Sequence, residues 1–332
     1  MAFGIAVASD ASGGVCGIVF GRKNREGELM SFVVGVDIGG TKSLLGLVDA
    51  RHAVYEFFSF DTPDSSSKLF SMLLHHTRFW SDRLDVSAIG IGTAGCVDSR
   101  KKTVSDSFNL YGPGLFSIGK KFSSLKLPVA VENDANAWAF GEFVTAKKKP
   151  SFLGVLTLGT GIGCGLVFEG KLFHGKNFAS EFGQCVVTDS GFVDSGGVKG
   201  SLEAQANALS VVRRAKLAGL PVSNPLLVSE LARGGNTKAR KVLEETGYWV
   251  GIGVANLVST LHLDRVVLAG GLSNSPFLVN AAKKTAKKLL YPSLSRGLMI
   301  EKTDLSSFGG AIGAAALARK LVRKKGGPKG PS

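Results

Sequence analysis

From residue 32 onward, short apolar runs alternate with longer stretches carrying an apolar residue every three or four positions. The run Val33-Val34-Gly35-Val36-Asp37-Ile38, a Gly-Gly-Thr turn and Leu44-Leu45-Gly46-Leu47-Val48 read as a β-hairpin with a glycine turn. A second such pair spans residues 152–170. Shifted by 119 residues, Gly35, Gly46, Leu47 and Val48 fall on Gly154, Gly165, Leu166 and Val167, with the turn glycines displaced by one. A repeat this long does not suit a solenoid, so the pattern predicts an internal duplication into two related lobes.

Helical periodicity predicts helices over 65–83, 135–145, 202–218, 225–233, 238–262, 276–290 and 308–322. Strand-like runs cover 53–60, 88–92, 129–131, 266–269 and 299–301. This alternation argues an α/β class, and the hairpins make its sheets mixed. The expected layout is a small lobe over 32–133, with the C-terminal helix 306–322 packing back onto it, and a large lobe over 134–305. Residues 323–332 form a basic tail. Residues 1–31 precede the first strong strand, with Met30 just ahead of it. They are either a loosely attached extension from an upstream start or an extra hairpin of 5–8 with 15–20.

Three hundred and thirty-two residues exceed one ordinary core, in keeping with two lobes. The 44 glycines are roughly twice average usage and anticipate tight turns and close backbone approaches. A net charge of +14 favours anionic ligands. Much of it sits in a C-terminal run read as a helix end and solvated tail, and in Lys283, Lys284, Lys287 and Lys288, read as one exposed helix face. Sequence-specific nucleic-acid binding is not expected. Cys16, Cys96, Cys164 and Cys185 make no C-x-x-C pair, which disfavours disulfides and structural zinc. With no apolar run of about 18 residues and no signal-peptide pattern, a soluble cytoplasmic protein without a membrane partner is expected.

Asp37-Ile38-Gly39-Gly40-Thr41-Lys42 puts a carboxylate at a strand end, then glycines, a hydroxyl and an ammonium, as a phosphate cradle beside a metal-facing acid needs. Leu158-Gly159-Thr160-Gly161-Ile162-Gly163 offers a matching nest of N–H groups in the second repeat. A near Walker A pattern over 114–121 ends in Lys121 where a hydroxyl must meet magnesium, and no strand precedes it. Glu132-Asn133-Asp134-Ala135-Asn136 follows a buried run and opens a helix. Asp134 there is either an N-cap or a general base for an alcohol. Glu181 and Glu203 flank a glycine-rich stretch and suit a site for a hydroxyl-rich ligand.

Taken in order, these motifs resemble the ROK sugar kinases of the actin-like ATPase superfamily, from Phe32 to about Leu321. Further matches are Gly90-Ile-Gly92-Thr-Ala-Gly95-x-Val97-Asp98, Asn109-Leu110, Glu181-Phe-Gly183, Gly200-Ser-Leu-Glu203, Ala269-Gly-Gly-Leu-Ser273 and Gly309-Gly-Ala-Ile-Gly-Ala-Ala315. The resemblance implies a two-lobed, ribonuclease H-like α/β fold with duplicated mixed sheets flanked by helices. It implies ATP-dependent phosphorylation of a hexose, glucose foremost, at its primary hydroxyl. It assigns the phosphates to Gly39, Gly40, Thr41, Lys42, Thr160 and Gly161, adenosine to Gly270 and Gly271, and Mg2+ to Asp37 through water. The sugar goes to Asn109, Asn133, Asp134, Glu181, Gln184 and Glu203, with Asp134 as catalytic base. A homodimer is expected. Relatives in other branches phosphorylate N-acetylmannosamine, N-acetylglucosamine or fructose, and others are non-catalytic sugar-sensing repressors with a winged helix ahead of the first motif. The family's zinc ligands are replaced here by Gln184, Asp194, Gly196 and Ser201, so no zinc site is expected and the loop is expected to be held by packing alone.

Overall fold

The computed structural model describes residues 5–9, 15–19, 31–105, 107–112, 114–178 and 180–325. They fall into two compact units, one reaching Lys147 and resuming at 175–178 and from Leu305, the other covering 148–174 and the described part of 179–304.

In the first unit β1 (Ile5–Ser9) and β2 (Val15–Val19) form one antiparallel hairpin, and β3 (Phe32–Ile38) and β4 (Lys42–Val48) another. Strand β5 (Val54–Asp61) pairs with both β2 and β4, so of the two readings of the N-terminal segment the hairpin is the one formed. Helix α1 (Ser66–Ser81) leads to β6 (Val86–Thr93), parallel to β3. Short strands β7 (Cys96–Asp98), β8 (Thr103–Ser105) and β9 (Phe116–Ser117) make a small separate sheet, with α2 (Phe108–Tyr111) between the last two. Helix α3 (Ile118–Lys121) precedes β10 (Val129–Asn133), parallel to β6, and α4 (Asp134–Thr145) follows directly. The main sheet runs β1-β2-β5-β4-β3-β6-β10.

The second unit opens with β11 (Phe152–Leu158), β12 (Ile162–Phe168) and β13 (Lys171–Leu172). Helices α5 (Leu202–Ala206), α6 (Ala208–Leu217), α7 (Pro225–Arg233) and α8 (Thr237–Leu261) lead to β14 (Arg265–Ala269). Then come α9 (Pro276–Leu289), α10 (Pro292–Ser295) and β15 (Met299–Lys302). The sheet order β13-β12-β11-β14-β15 repeats β5-β4-β3-β6-β10 strand for strand. Ile38 pairs with Ser43 but Leu158 pairs with Ile162, so the second turn is one residue shorter. Ahead of the turn the equivalence is therefore 120 residues, so Gly39 falls on Gly159 and Gly35 on Val155 rather than on Gly154 as the sequence shift suggests. Gly46 still falls on Gly165, because Gly35 pairs with Gly46 and Val155 pairs with Gly165. The single helix expected over 202–218 is broken at Asn207, which is extended and whose side chain accepts from Ser210 N at 2.8 Å to cap α6.

Helix α11 (Gly309–Lys325) belongs to the first unit. Strand β3 alternates: Val34, Val36 and Ile38 join Leu69, Leu73 and Trp80 of α1 in one core, whereas Val33 joins Ile312, Ala315 and Ala318 of α11 in another. Gly35 and Gly90 stand side by side on the α11 face. A Cβ at either would overlap the carbonyl oxygen of Ala311 or Ala314, so the helix lies almost on the strands. Helix α4 approaches α11 as closely, Gly141 against Gly309 and Ala137 against Gly313. The first unit therefore runs past the expected boundary at residue 133 and includes α4, because this backbone contact joins it to α11.

Candidate active site

Strand β3 delivers Asp37 beside Gly92 of β6. Its Oδ2 accepts from Trp138 Nε1 at 3.2 Å, and Gly310 of α11 lies so close that a Cβ there would collide with the carboxylate. Burial, and then the charge of Asp134, push the Asp37 carboxyl up to about 7, against the Trp138 hydrogen bond. The N-cap of α4 is Asn133, whose Oδ1 accepts from Ala135 N at 2.9 Å and Asn136 N at 3.2 Å, so Asp134 is not the cap. Asp134 opens the first turn, Oδ1 accepting from Ala135 N at 2.9 Å, and burial raises its carboxyl above the ordinary range. Neither aspartate forms an ion pair among the described residues. Tyr111 hydroxyl lies 2.6 Å from Thr93 Oγ1, and burial, with a smaller contribution from Asp134, raises it to about 12. Asp37, Asp134 and Tyr111 thus share one electrostatic neighbourhood.

Asn133 also donates from Nδ2 to Gly95 O at 3.3 Å, which leaves one amide proton for a ligand. Buried Glu132 accepts from Asn136 Nδ2 at 3.1 Å and Ser99 Oγ at 3.0 Å, bracing the strand-to-helix junction. Asn109 lies in α2; its side chain lies outside the described residues.

In the β3–β4 turn, Gly39 N donates to Lys42 O at 3.0 Å, and Gly40, Thr41 and Lys42 are exposed. Thr62 braces it, donating from Oγ1 to Gly39 O at 2.8 Å while Ser43 Oγ lies 2.8 Å from the same hydroxyl. Sequence reasoning missed both residues. Gly40 lacks a left-handed φ, and a Cβ on it would meet nothing within 4 Å. Gly159 and Gly271 share both properties. The chain itself imposes no steric or conformational need for glycine at these three places. Gly270 differs: its φ is 83° and its Cβ would strike Leu158, so its place is required by the fold.

In the second unit Gly159 N donates to Gly161 O at 3.0 Å, closing the turn that carries Thr160. Glu203, in the first turn of α5, accepts from Ile162 N at 2.9 Å, and a Cβ on Gly161 would lie 2.5 Å from its Oε2. The structure thus brings an expected sugar ligand against an expected phosphate turn. Burial is the main cause raising the Glu203 carboxyl; the Ile162 N–H opposes it and the charge of Asp194 adds to it. Glu181 and Gln184 are exposed on either side of Gly183, whose Cα packs against Ile162 O.

The loop before α5 is not held by packing alone. Asp194 Oδ1 accepts from Gly196 N and Val198 N, both at 2.9 Å, and its Oδ2 accepts from Ser201 Oγ at 2.5 Å. Three of the four residues at the family's zinc positions, Asp194, Gly196 and Ser201, therefore form a hydrogen-bond network, which Gln184 does not join. Among the described residues no group of three or more His, Cys, Asp or Glu is placed to hold a metal ion. Asp37 would fit a cation held through water: among the described residues neither it nor Asp134 forms an ion pair, and nearby positive charge would favour the ionised form of both carboxyls.

Residues 33–321 match the ROK family, and the chain belongs to it. The glucokinase of Streptomyces coelicolor is 30% identical over 312 residues, covering 88% of this chain and 98% of its own. The N-acetylmannosamine kinase of Vibrio vulnificus is 33% identical over 248 residues, covering 72% and 83%. The solved structure of a ROK family glucokinase from Streptomyces griseus, in complex with glucose and AMPPNP, matches with a TM-score of 0.77 at 30% identity. It covers 87% of this chain and 99% of that one. The duplicated mixed sheets flanked by helices are those of the actin-like ATPase fold. No helix among the described residues is long and apolar enough to cross a membrane.

Proposed function

We propose that this protein transfers the γ-phosphoryl group of ATP to the primary hydroxyl of a hexose, with glucose the first candidate. The observation that carries the reading is the pair of raised carboxyls, Asp37 and Asp134, in the unit that also carries the braced glycine turn. Asp134 takes the proton of the attacking hydroxyl, and its raised pKa makes it a stronger base than an exposed carboxylate. Asp37 would hold Mg2+ through water, and the bound ion would neutralise charge on the phosphates. The N–H groups of Gly39, Gly40, Thr160 and Gly161, with Thr41 and Lys42, bind phosphate oxygens, and Gly271 lets adenosine approach the backbone. Asn109, Asn133, Glu181, Gln184 and Glu203 hold the sugar hydroxyls. The reading includes a cytoplasmic homodimer, which light scattering of the purified protein tests. Support comes from family membership and from relatives named as glucokinases.

The test is ADP release coupled to a dehydrogenase, over glucose, fructose, N-acetylglucosamine and N-acetylmannosamine. Glucose is expected to give the highest kcat/KM. Preference for N-acetylmannosamine would move the substrate to that of the Vibrio relative. Sugar binding without ADP release would replace catalysis with a sensing role.

A further inference from the structure

The 194–198 turn and the start of α5 converge on Glu203. Asp194 is only 9% exposed, and a carboxylate so placed is costly unless donors surround it. Three do: Gly196 N and Val198 N at 2.9 Å on Oδ1, and Ser201 Oγ at 2.5 Å on Oδ2. Ser201, fully buried, spends its hydroxyl proton on Asp194 and accepts from Ala204 N at 3.1 Å, which caps α5. Glu203 follows two residues later, with Oε2 on Ile162 N at 2.9 Å. Its Oε1 lies 3.5 Å from the hydroxyl of Ser195, the neighbour of Asp194 in the same turn. Oε1 of Glu203 therefore faces the turn that Asp194 holds, and the helix turn that carries Glu203 is capped by the serine that Asp194 orients, while Oε2 rests on β12.

We propose that Asp194 is a positioning residue for substrate binding, fixing the Ser201 cap and the Ser195 turn so that Glu203 is aimed at the Gly159–Ile162 turn. The proposal rests on the reading above that Glu203 holds the sugar. A purely structural carboxylate would stabilise the loop and leave Glu203 where it is; here the same hydrogen bonds that satisfy Asp194 also define the helix turn that carries Glu203.

The test compares Asp194→Ala, Asp194→Asn and Glu203→Gln in the full chain. Steady-state kinetics with glucose and ATP varied separately should show Asp194→Ala raising the glucose KM about 10-fold, the scale of one or two lost hydrogen bonds, with the ATP KM within about 2-fold of wild type. Asp194→Asn keeps Oδ1 for the two backbone donors and should recover most of the loss. The double variant Asp194→Ala/Glu203→Gln should have a glucose KM no higher than Glu203→Gln alone, because the two act through one side chain. A glucose KM unmoved by Asp194→Ala, while Glu203→Gln raises it, overturns the role of Asp194. A KM unmoved by Glu203→Gln overturns the sugar-binding reading of Glu203 instead. Amide hydrogen exchange is a readout independent of turnover: Asp194→Ala should cut protection at Ile162 and Ala204 about 10-fold and spare Leu156 in the core of β11. A uniform loss across all three amides means a merely structural role and contradicts the proposal.

Discussion

The two hairpin turns occupy equivalent places in sheets of the same strand order, yet the acids beside them differ in number and in the donors they meet. Beside the β3–β4 turn, Asp37 and Asp134 are raised by burial and pair with no cation among the described residues. Against the β11–β12 turn, Glu203 already has a backbone N–H on one oxygen and a serine hydroxyl near the other. At the position of Asp37, next to last in its strand, β11 carries Thr157. The duplication thus gives two glycine turns with different acid surroundings. Beside the first, two neighbouring carboxyls accept from Trp138 and from Ala135 N, and against the second a single carboxyl accepts from a backbone N–H with a serine hydroxyl near its other oxygen. In the proposed reaction the first unit does the chemistry and the second holds ligand.

The largest expected effect separates function from stability at Asp37. Its carboxyl titrates near 7 in the folded chain against 3.8 ordinarily. Between those values the folded state keeps a proton that the unfolded chain has released, so stability falls as pH rises through that window. Asp37→Asn should lower turnover by at least about 10²-fold. It should also stabilise the metal-free protein at pH 8 by on the order of 2 kcal/mol, with little gain at pH 4. Thermal melts at both pH values decide; destabilisation at pH 8 would mean that the charge is satisfied after all.

Glycine substitutions test the turns next. Gly40→Ala and Gly159→Ala should raise the ATP KM about 10-fold while Tm stays within a few degrees, because neither Cβ meets the chain. Gly270→Ala, at φ 83° and against Leu158, should cost on the order of 2 kcal/mol in stability. Equal Tm losses for all three would remove the ground for placing a ligand at Gly40 and Gly159. A smaller change is expected for Thr62→Val, which breaks the Ser43–Thr62–Gly39 link: about 1 kcal/mol in denaturant melts, with an ATP KM a few-fold higher. An unchanged ATP KM would make Thr62 merely structural. The smallest effect concerns metal. A chelator should stop turnover only by taking Mg2+, excess Mg2+ should restore it at once, and Tm should not move. Elemental analysis finding one zinc per chain, with a chelator-induced fall in Tm, would contradict this.

What the sequence reveals follows the range of the interaction. The hairpins, their glycine turns and most helices are local patterns and are legible. The break at Asn207 is local too, but a polar N-cap inside a helical pattern is easily absorbed by the periodicity around it. Long-range contacts are hidden: Trp138 donates to Asp37 from 101 residues away, and Thr62 reaches Gly39 from the end of another strand. At residues 194–201 the family pattern marks positions as lost metal ligands. It does not show that Asp194 and Ser201 hydrogen-bond to each other, because side-chain geometry decides that. The cap of α4 illustrates the same limit, since Asn133 and Asp134 are both good caps and only the backbone selects Asn133.

The most direct test of the central claim is the turnover of Asp134→Asn beside wild type across pH, with glucose and ATP saturating. The variant keeps the shape of the first turn of α4 but cannot accept a proton. Its kcat should fall by at least about 10²-fold with sugar affinity little changed. The wild-type kcat should decline on the acid side with a midpoint above the ordinary carboxylate range, in line with the raised Asp134 carboxyl. Near-full turnover by Asp134→Asn would contradict the account and leave Asp134 a helix-opening residue with no part in the chemistry.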